Sequence, residues 1–474
     1  MENPPEKFIK KEQRAEKGEG KEITDITKDI LNKSLESGRP EIAANMAASL
    51  GDIESLKQSL DICKKEEISY SLDSIIDSLK NKDAETIKKS IDILLRDREH
   101  FGSPSLAPSE LIISLKGKDP QFDTLSKEYI EKFYKKKRPD LAAKLAISLN
   151  DEGATKYALE MCLDKNKSFF PQNAGEIAIS IGNVDIAQKV FEYYKNKDLV
   201  GGAEFIIDLA KMKGDLGIAK EAAIYYFNHD WYMKETLGSL TAAISKEDPE
   251  FAKEILEKCI IRDSKDREHY ESVENNAKGQ WIKPITDIAI ALSKKIPEVS
   301  RKAIEYFDKI GISTYAGKIA ASMGDIESAK YSIEECFRKK IPSGAAEIAT
   351  ALADKSPEIS KRVAEKLSGT YEIKEILVAL INNDVEFVRK AIEKYFSLAD
   401  KDKIENNKYE ESGSKTDWWG MVGWDQVGTV GGIVTALIDK DPQFAIKTAK
   451  ECLNRNWLWS ASKITLELSK YYKL

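Results

Sequence analysis

Apolar and polar residues in this chain follow two nested periods. Within short stretches the apolar positions recur every three or four residues, which places them on one face of an α-helix. Over longer distances the pattern restarts about every thirty residues, the range of helical-hairpin repeats. Each restart follows a turn residue: Asp52, Asp83, Asp119, Asp151, Asn183, Asp215, Asp248, Asp325, Ser356, Asp384 and Asp441, with Ile296 in the same register. No long alternating run of Val, Ile and Thr occurs, so no strand is predicted. A unit of one helix before the turn and one after it buries its apolar face only by stacking on neighbours. The predicted fold is all-α, an α-solenoid of about twelve helix-turn-helix repeats with terminal capping helices.

Local chemistry defines the start of each second helix. With the turn residue as position zero, eleven of twelve units carry a side chain there that can accept a free helical amide hydrogen. Position one is Pro120, Pro249, Pro297, Pro357 or Pro442 in five units, and proline suits the first helical turn because that amide has no helical partner. Position two is acidic in eight units, Glu54, Glu250, Glu327 and Glu358 among them, matching the positive end of the helix dipole. Position four is mostly small, as at Ala187, Ala219, Ala252, Ala329 and Ala445. Position eleven can pack in a core in all twelve units, from Cys63 and Leu94 to Tyr395 and Cys452. Positions four, seven, eight and eleven share one face. The first helices are short, Ala-rich and apolar on more than one side, as in Ile177-Ala178-Ile179-Ser180 and Ile319-Ala320-Ala321-Ser322.

The ends follow the same scheme. Residues 24–37 read as a lone second helix and residues 460–472 as a lone first helix, the caps a solenoid needs. Residues 1–22 carry six basic and six acidic side chains and are expected to be a disordered charged tail. Residues 23–474 remain as the repeat domain.

The run Gly324-Asp325-Ile326-Glu327-Ser328-Ala329, with Gly51-Asp52 and Gly214-Asp215 in kind, resembles the turn and second helix of the tetratricopeptide repeat family. The family's Trp, Leu-Gly and Tyr positions in the first helix are not reproduced, and a HEAT-like hairpin repeat fits as well. The resemblance implies a right-handed superhelix whose first helices line a concave face and bind peptides or partner helices. It carries over no binding residue.

Charge adds a restriction. The formal net charge of -6 does not favour non-specific nucleic-acid binding. The N-terminal residues are polar and charged rather than signal-like, and the weakly polar stretch 427–438 is too short to span a bilayer. A cytoplasmic protein without membrane contact is expected.

Five cysteines fall at position eleven of separate units, without a CxxC pair, and read as small buried thiols rather than metal ligands or disulfides. Position five is Lys or Arg in nine units and position nine is acidic in ten. Four residues apart, they are expected to pair within each helix on a solvated face.

The register stretches three times: 36 residues separate Asp83 from Asp119, 48 separate Asp248 from Ile296, and 57 separate Asp384 from Asp441. Inserts are expected near 96–108, 262–281 and 398–430, as loops. The first holds Asp97-Arg98-Glu99-His100, the second Asp266-Arg267-Glu268-His269, and the third the related Asp402-Lys403-Ile404-Glu405. Carboxylates beside an imidazole are adequate for a metal or a general base, but neighbouring residues of one loop cannot all converge, and repeat duplication explains the echo.

The third insert also contains Trp418, Trp419 and Trp424 among glycines. These rings read either as partner anchors or as a plug sealing the last repeats, with Trp457 and Trp459 helping to cap the stack. The leading expectation is a non-catalytic scaffold or adaptor for a protein or peptide, without cofactor. Trp418, Trp419 and Trp424 are its first contact candidates, and Arg98, His100, Arg267 and His269 its lesser ones. The alternatives are an enzyme or metal protein using the duplicated motif and a self-associating spacer.

Overall fold

The computed structural model describes residues 18–97, 107–164, 171–197, 203–228, 234–269, 280–368, 370–410, 419–472 and 474. Among them every regular element is helical. A lone helix α1 (Gly20–Glu36) precedes twelve helix-turn-helix units. The first four are α2 (Pro40–Leu50) with α3 (Ile53–Lys65), α4 (Leu72–Leu79) with α5 (Ala84–Asp97), α6 (Ala107–Ile113) with α7 (Phe122–Lys135), and α8 (Pro139–Ser148) with α9 (Glu152–Leu163). The next four are α10 (Pro171–Ser180) with α11 (Val184–Lys197), α12 (Ala203–Lys213) with α13 (Gly217–Asn228), α14 (Lys234–Ile244) with α15 (Pro249–His269), and α16 (Ile282–Leu292) with α17 (Pro297–Lys309). The last four are α18 (Ser313–Met323) with α19 (Ile326–Arg338), α20 (Pro342–Leu352) with α21 (Pro357–Lys366), α22 (Ile373–Leu380) with α23 (Val385–Glu410), and α24 (Trp419–Leu437) with α25 (Pro442–Asn454). A lone α26 (Leu458–Tyr472) ends the chain, and the whole is an all-α helical-repeat solenoid.

The caps form as the side chains demand. Amides of Ser55, Thr86, Ala154, Ile186, Phe251, Ser328, Phe387 and Phe444 donate to the turn residue three positions earlier at 2.9–3.1 Å. Gln121 and Gly217 do so to Asp119 and Asp215 two positions earlier. Where the residue before the cap is Gly51 or Gly324, it takes a left-handed conformation, φ 72° and 81°, which glycine adopts without steric penalty and which ends the first helix. Position eleven is buried in all eleven units whose side chain there is described, Tyr194 lying outside the described side chains. The five cysteines are free and buried, and burial pushes the thiols of Cys162, Cys259 and Cys452 up to about 12.

The chain forms two compact bodies, one from residues 1–132, 144–149 and 364–474, the other from 133–143 and 150–363. In the second body α10, α12, α14, α16, α18 and α20 pack side by side, each on the next. In the first body the sequence of packed first helices runs α22, α24, α26, α2, α4, α6. It therefore crosses from the C-terminal end of the chain to the N-terminal end. The lone α26 packs on the lone α1 as the two helices of a unit do, and α25 meets α1 as neighbouring second helices do. Two half-units from opposite ends of the sequence thus assemble a thirteenth hairpin. Polar contacts tie it to the neighbouring units: Lys33 donates to the Leu453 carbonyl at 3.3 Å, Lys82 to the Leu474 carbonyl at 2.8 Å, and Lys450 pairs with Glu22. The expected capping helices exist, but they cap each other.

Three expectations are corrected. The charged tail was drawn through residue 22, whereas α1 already begins at Gly20. The inserts were expected as loops, yet the second prolongs α15 to His269 and the third prolongs α23 to Glu410 before α24 starts at Trp419. No Pro or Gly interrupts residues 250–269 or 385–410, so nothing stops either helix. Position five does not pair chiefly with position nine of its own helix. Its cation reaches back to position two, as in Lys330–Glu327 at 2.6 Å and Lys361–Glu358 at 2.9 Å. It also reaches across to the cap of the next unit, as in Lys220–Asp248 at 2.6 Å, Lys88–Asp119 and Arg389–Asp441. Position nine pairs across units as well, Glu257 with Lys302 at 3.1 Å.

A second inter-unit link escaped the sequence reading. Lysine immediately before the cap bonds the last carbonyls of the preceding first helix. Lys118 reaches Lys80 O at 2.6 Å, Lys295 reaches Ser245 O at 2.9 Å, and Lys355 reaches Ala321 O at 2.5 Å. The ammonium meets the negative end of a helix dipole and satisfies carbonyls that lack helical partners.

The doubly used caps make stability pH-dependent. The Lys88 ammonium and then the Gln121 amide lower the Asp119 pKa, and Lys220 followed by the Phe251 amide does the same at Asp248. Both carboxylates stabilise the folded chain fully above the ordinary aspartate value of 3.8. That contribution is lost as pH falls through their lower folded values. Thermal melts from about pH 6 to pH 2 should therefore drop steeply below 3.8, and Asp248→Asn should flatten that acid limb. An unchanged limb in the variant would show that the bridge to Lys220 contributes nothing.

Candidate partner-binding surface

The residues singled out from the sequence separate into three groups. Trp418, Arg98 and His100 lie outside the described residues. Trp419, Trp424 and His269 lie on α24 and α15, with side chains outside the description. Arg267 is described, and it faces inward. Its Nε donates to Asp263 at 2.7 Å, and the Tyr306 hydroxyl of α17 donates to the same carboxylate oxygen. Burial, reinforced by that hydrogen bond, pushes the Tyr306 phenol up to about 12. Asp266 accepts from the buried Trp281 indole at 2.9 Å. Trp281 in turn lies 4.2 Å below the Lys234 ammonium and 5.3 Å from the Phe227 ring. The Asp-Arg pair of the second insert therefore docks the prolonged α15 onto its own body. Among the described residues no group of His, Cys, Asp and Glu stands close enough to hold a metal.

The two remaining tryptophans of the C-terminal region differ. Trp457 stacks on Phe396 at 5.3 Å with the Arg455 guanidinium 5.0 Å from the Phe396 ring, so it seals α23 against the end of α25. Trp459, expected to help cap the stack, is instead 45% exposed at the first turn of α26. One turn on, Lys463 places its ammonium 5.8 Å from the Trp459 ring centroid.

Two helices away Lys374 opens α22. Its stem crosses α24 where Gly432 has no side chain; a Cβ there would stand 2.6 Å from the Lys374 Cε. The adjacent Gly431 brings α24 against the backbone of Ser460, 3.2 Å from where its own Cβ would sit. Glycine thus serves close helix approach on one side and a bed for a lysine on the other. Lys463 makes no ion pair among the described residues, and burial followed by repulsion from Lys374 lowers its pKa. The result is an aromatic and cationic surface on α22, α24 and α26. The Trp-Lys spacing of one helical turn was its trace in the sequence. The approach of Lys374 from another unit left none.

No helix among the described residues is long and apolar enough to cross a membrane. No protein-family model and no curated protein sequence matches the chain. A solved structure similar to it is a circular tandem repeat protein with novel repeat topology and enhanced subunit contact surfaces. The two are 15% identical over 95% of this chain and 89% of the other, with a TM-score of 0.15.

Proposed function

We propose that this chain is a non-catalytic cytoplasmic scaffold that binds a protein or peptide partner through its first-helix face, with repeats of tetratricopeptide-like turn and second helix. The observation that supports it is the half-exposed Trp459 beside Lys463 and Lys374 on three packed helices. An exposed tryptophan on a rigid support is the side chain that most often anchors a partner, because it contributes large contact area with little ordering entropy. The cysteines and cap aspartates, by contrast, serve the packing of the repeats. Trp419 and Trp424 share α24 with Gly431 and Gly432 and remain contact candidates.

The test starts with capture of partners from native lysate, followed by titration of the captured protein. Trp459→Ala should weaken its binding by roughly 2 kcal/mol or more, about thirtyfold in Kd. An unchanged Kd for Trp459→Ala and for Trp424→Ala would remove this surface from the reading.

A further inference from the structure

Elsewhere on the first-helix layer, neighbouring helices are joined by charge. Lys80 at the end of α4 meets Glu110 of α6 at 2.6 Å, and Glu110 meets Lys144 of α8 at 3.1 Å. A carboxylate on the middle helix thus serves two flanking lysines, and the hydrogen bond from Lys80 lowers its pKa. Lys318 of α18 meets Glu347 of α20 at 2.8 Å in the same manner.

On α22, α24 and α26 the two flanking lysines are present, and the described side chains of α24, residues 428–437, include no carboxylate. Lys374 crosses Gly432, and Lys463 stands on α26 one turn beyond Ser460, which meets Gly431. The acids close by are committed elsewhere or outward. Glu467 pairs with Lys470 at 2.8 Å, and the exposed Glu375 meets Lys374 from its own helix at 3.1 Å. Two like charges half-removed from water without a shared counter-ion are unfavourable. A ligand carboxylate between them would relieve both terms, as Glu110 does in its own setting.

We infer that Lys374 and Lys463 receive a carboxylate from an acidic segment of the protein partner, while an apolar residue of that segment covers Trp459. This inference rests on the scaffold reading and names the chemistry of its occupant. Lysine supplies a point charge that accepts glutamate or aspartate without a fixed geometry. A nucleic acid is the less favoured polyanion, because a chain of net charge -6 repels it at long range.

Fluorescence anisotropy with a labelled decapeptide of alternating glutamate and leucine tests this on the full chain. The glutamate peptide should bind, its glutamine counterpart should not, and rising salt should weaken binding. Lys463→Glu and Lys374→Glu should each weaken it at least about tenfold, as loss of one partner of a close charge pair does. Lys463→Met, which keeps the apolar stem, should weaken it similarly while leaving the melt unchanged. Gly432→Glu supplies the carboxylate in cis and should abolish peptide binding without lowering the melting temperature. Lys330→Glu, distant on α19, should have no effect. Equal binding of both peptides, undiminished binding by Lys463→Met and Gly432→Glu, no binding of the glutamate peptide, or tighter binding of a single-stranded oligonucleotide of equal charge would each overturn the inference. A natural partner still lost in Trp459→Ala would then leave the scaffold reading standing with a different occupant.

Discussion

Removing residues 458–474 is expected to release α1, more than 420 positions away in sequence. Helix α26 buries Leu458, Ile464, Leu468 and Tyr472 between α24, α25, α1 and α2. Each large apolar side chain is worth about 1.5 kcal/mol or more, so the loss is on the order of 6 kcal/mol. That compares with the entire stability of an ordinary domain, about 5–15 kcal/mol. The buried residues Ile23, Ile26 and Ile30 belong to a helix that packs on both α26 and α2, so α1 would lose one of its two main supports. Helix α1 has no partner unit before it in the described chain, so it should fray once α26 is gone. Hydrogen exchange followed by mass spectrometry reads the effect directly. Amides of residues 20–36 should lose protection in the truncated chain, and in the full chain carrying Leu468→Asp, where a carboxyl enters a fully buried site. Unchanged protection of α1 in both would show that the thirteenth hairpin does not form. Retained protection of α10 to α20 would localise the effect to the first body.

The second large effect is expected at Trp281. Its indole is 2% exposed, donates to Asp266 at 2.9 Å, and lies beneath the Lys234 ammonium at 4.2 Å. Trp281→Ala should cost about 3–5 kcal/mol from lost contacts and the cavity left behind. Trp281→Phe keeps much of the volume but deprives Asp266 of its donor, and should cost about 1–3 kcal/mol. Because Asp266 and Trp281 meet directly, Asp266→Asn combined with Trp281→Phe should be less damaging than the sum of the two. Denaturant unfolding of the single and double variants checks this. A loss below about 1 kcal/mol in Trp281→Ala would mean that the prolonged α15 is not anchored by this ring. The result bears on function too, since it decides whether the Asp-Arg pair at 266–267 is a fastening or remains free to meet a partner.

What the sequence determined by itself is local. Turn aspartates, the prolines after them and the left-handed glycines before them act within a few residues, so twelve hairpins could be delimited before any contact was known. Helical periodicity then placed position eleven inside, and the five buried cysteines follow from it. The lone helices at either end were legible for the same reason, although their boundaries moved by a few residues. The choice among partners, by contrast, was made by the packing of the units. Lys88 has Asp92 four residues on in its own helix, yet it bonds Asp119 of the next unit because stacking brings that cap to it. Lys295 and Lys355 look solvated in sequence and instead close the helices of a preceding unit. Sequence distance also hid the pairing of α1 with α26 and the approach of Lys374 to Gly432. A cap depends on the chain's own geometry over three residues. A charge, an aromatic ring or an unpaired helix face depends on which surface arrives beside it, and in a repeat protein that is settled by how whole units stack.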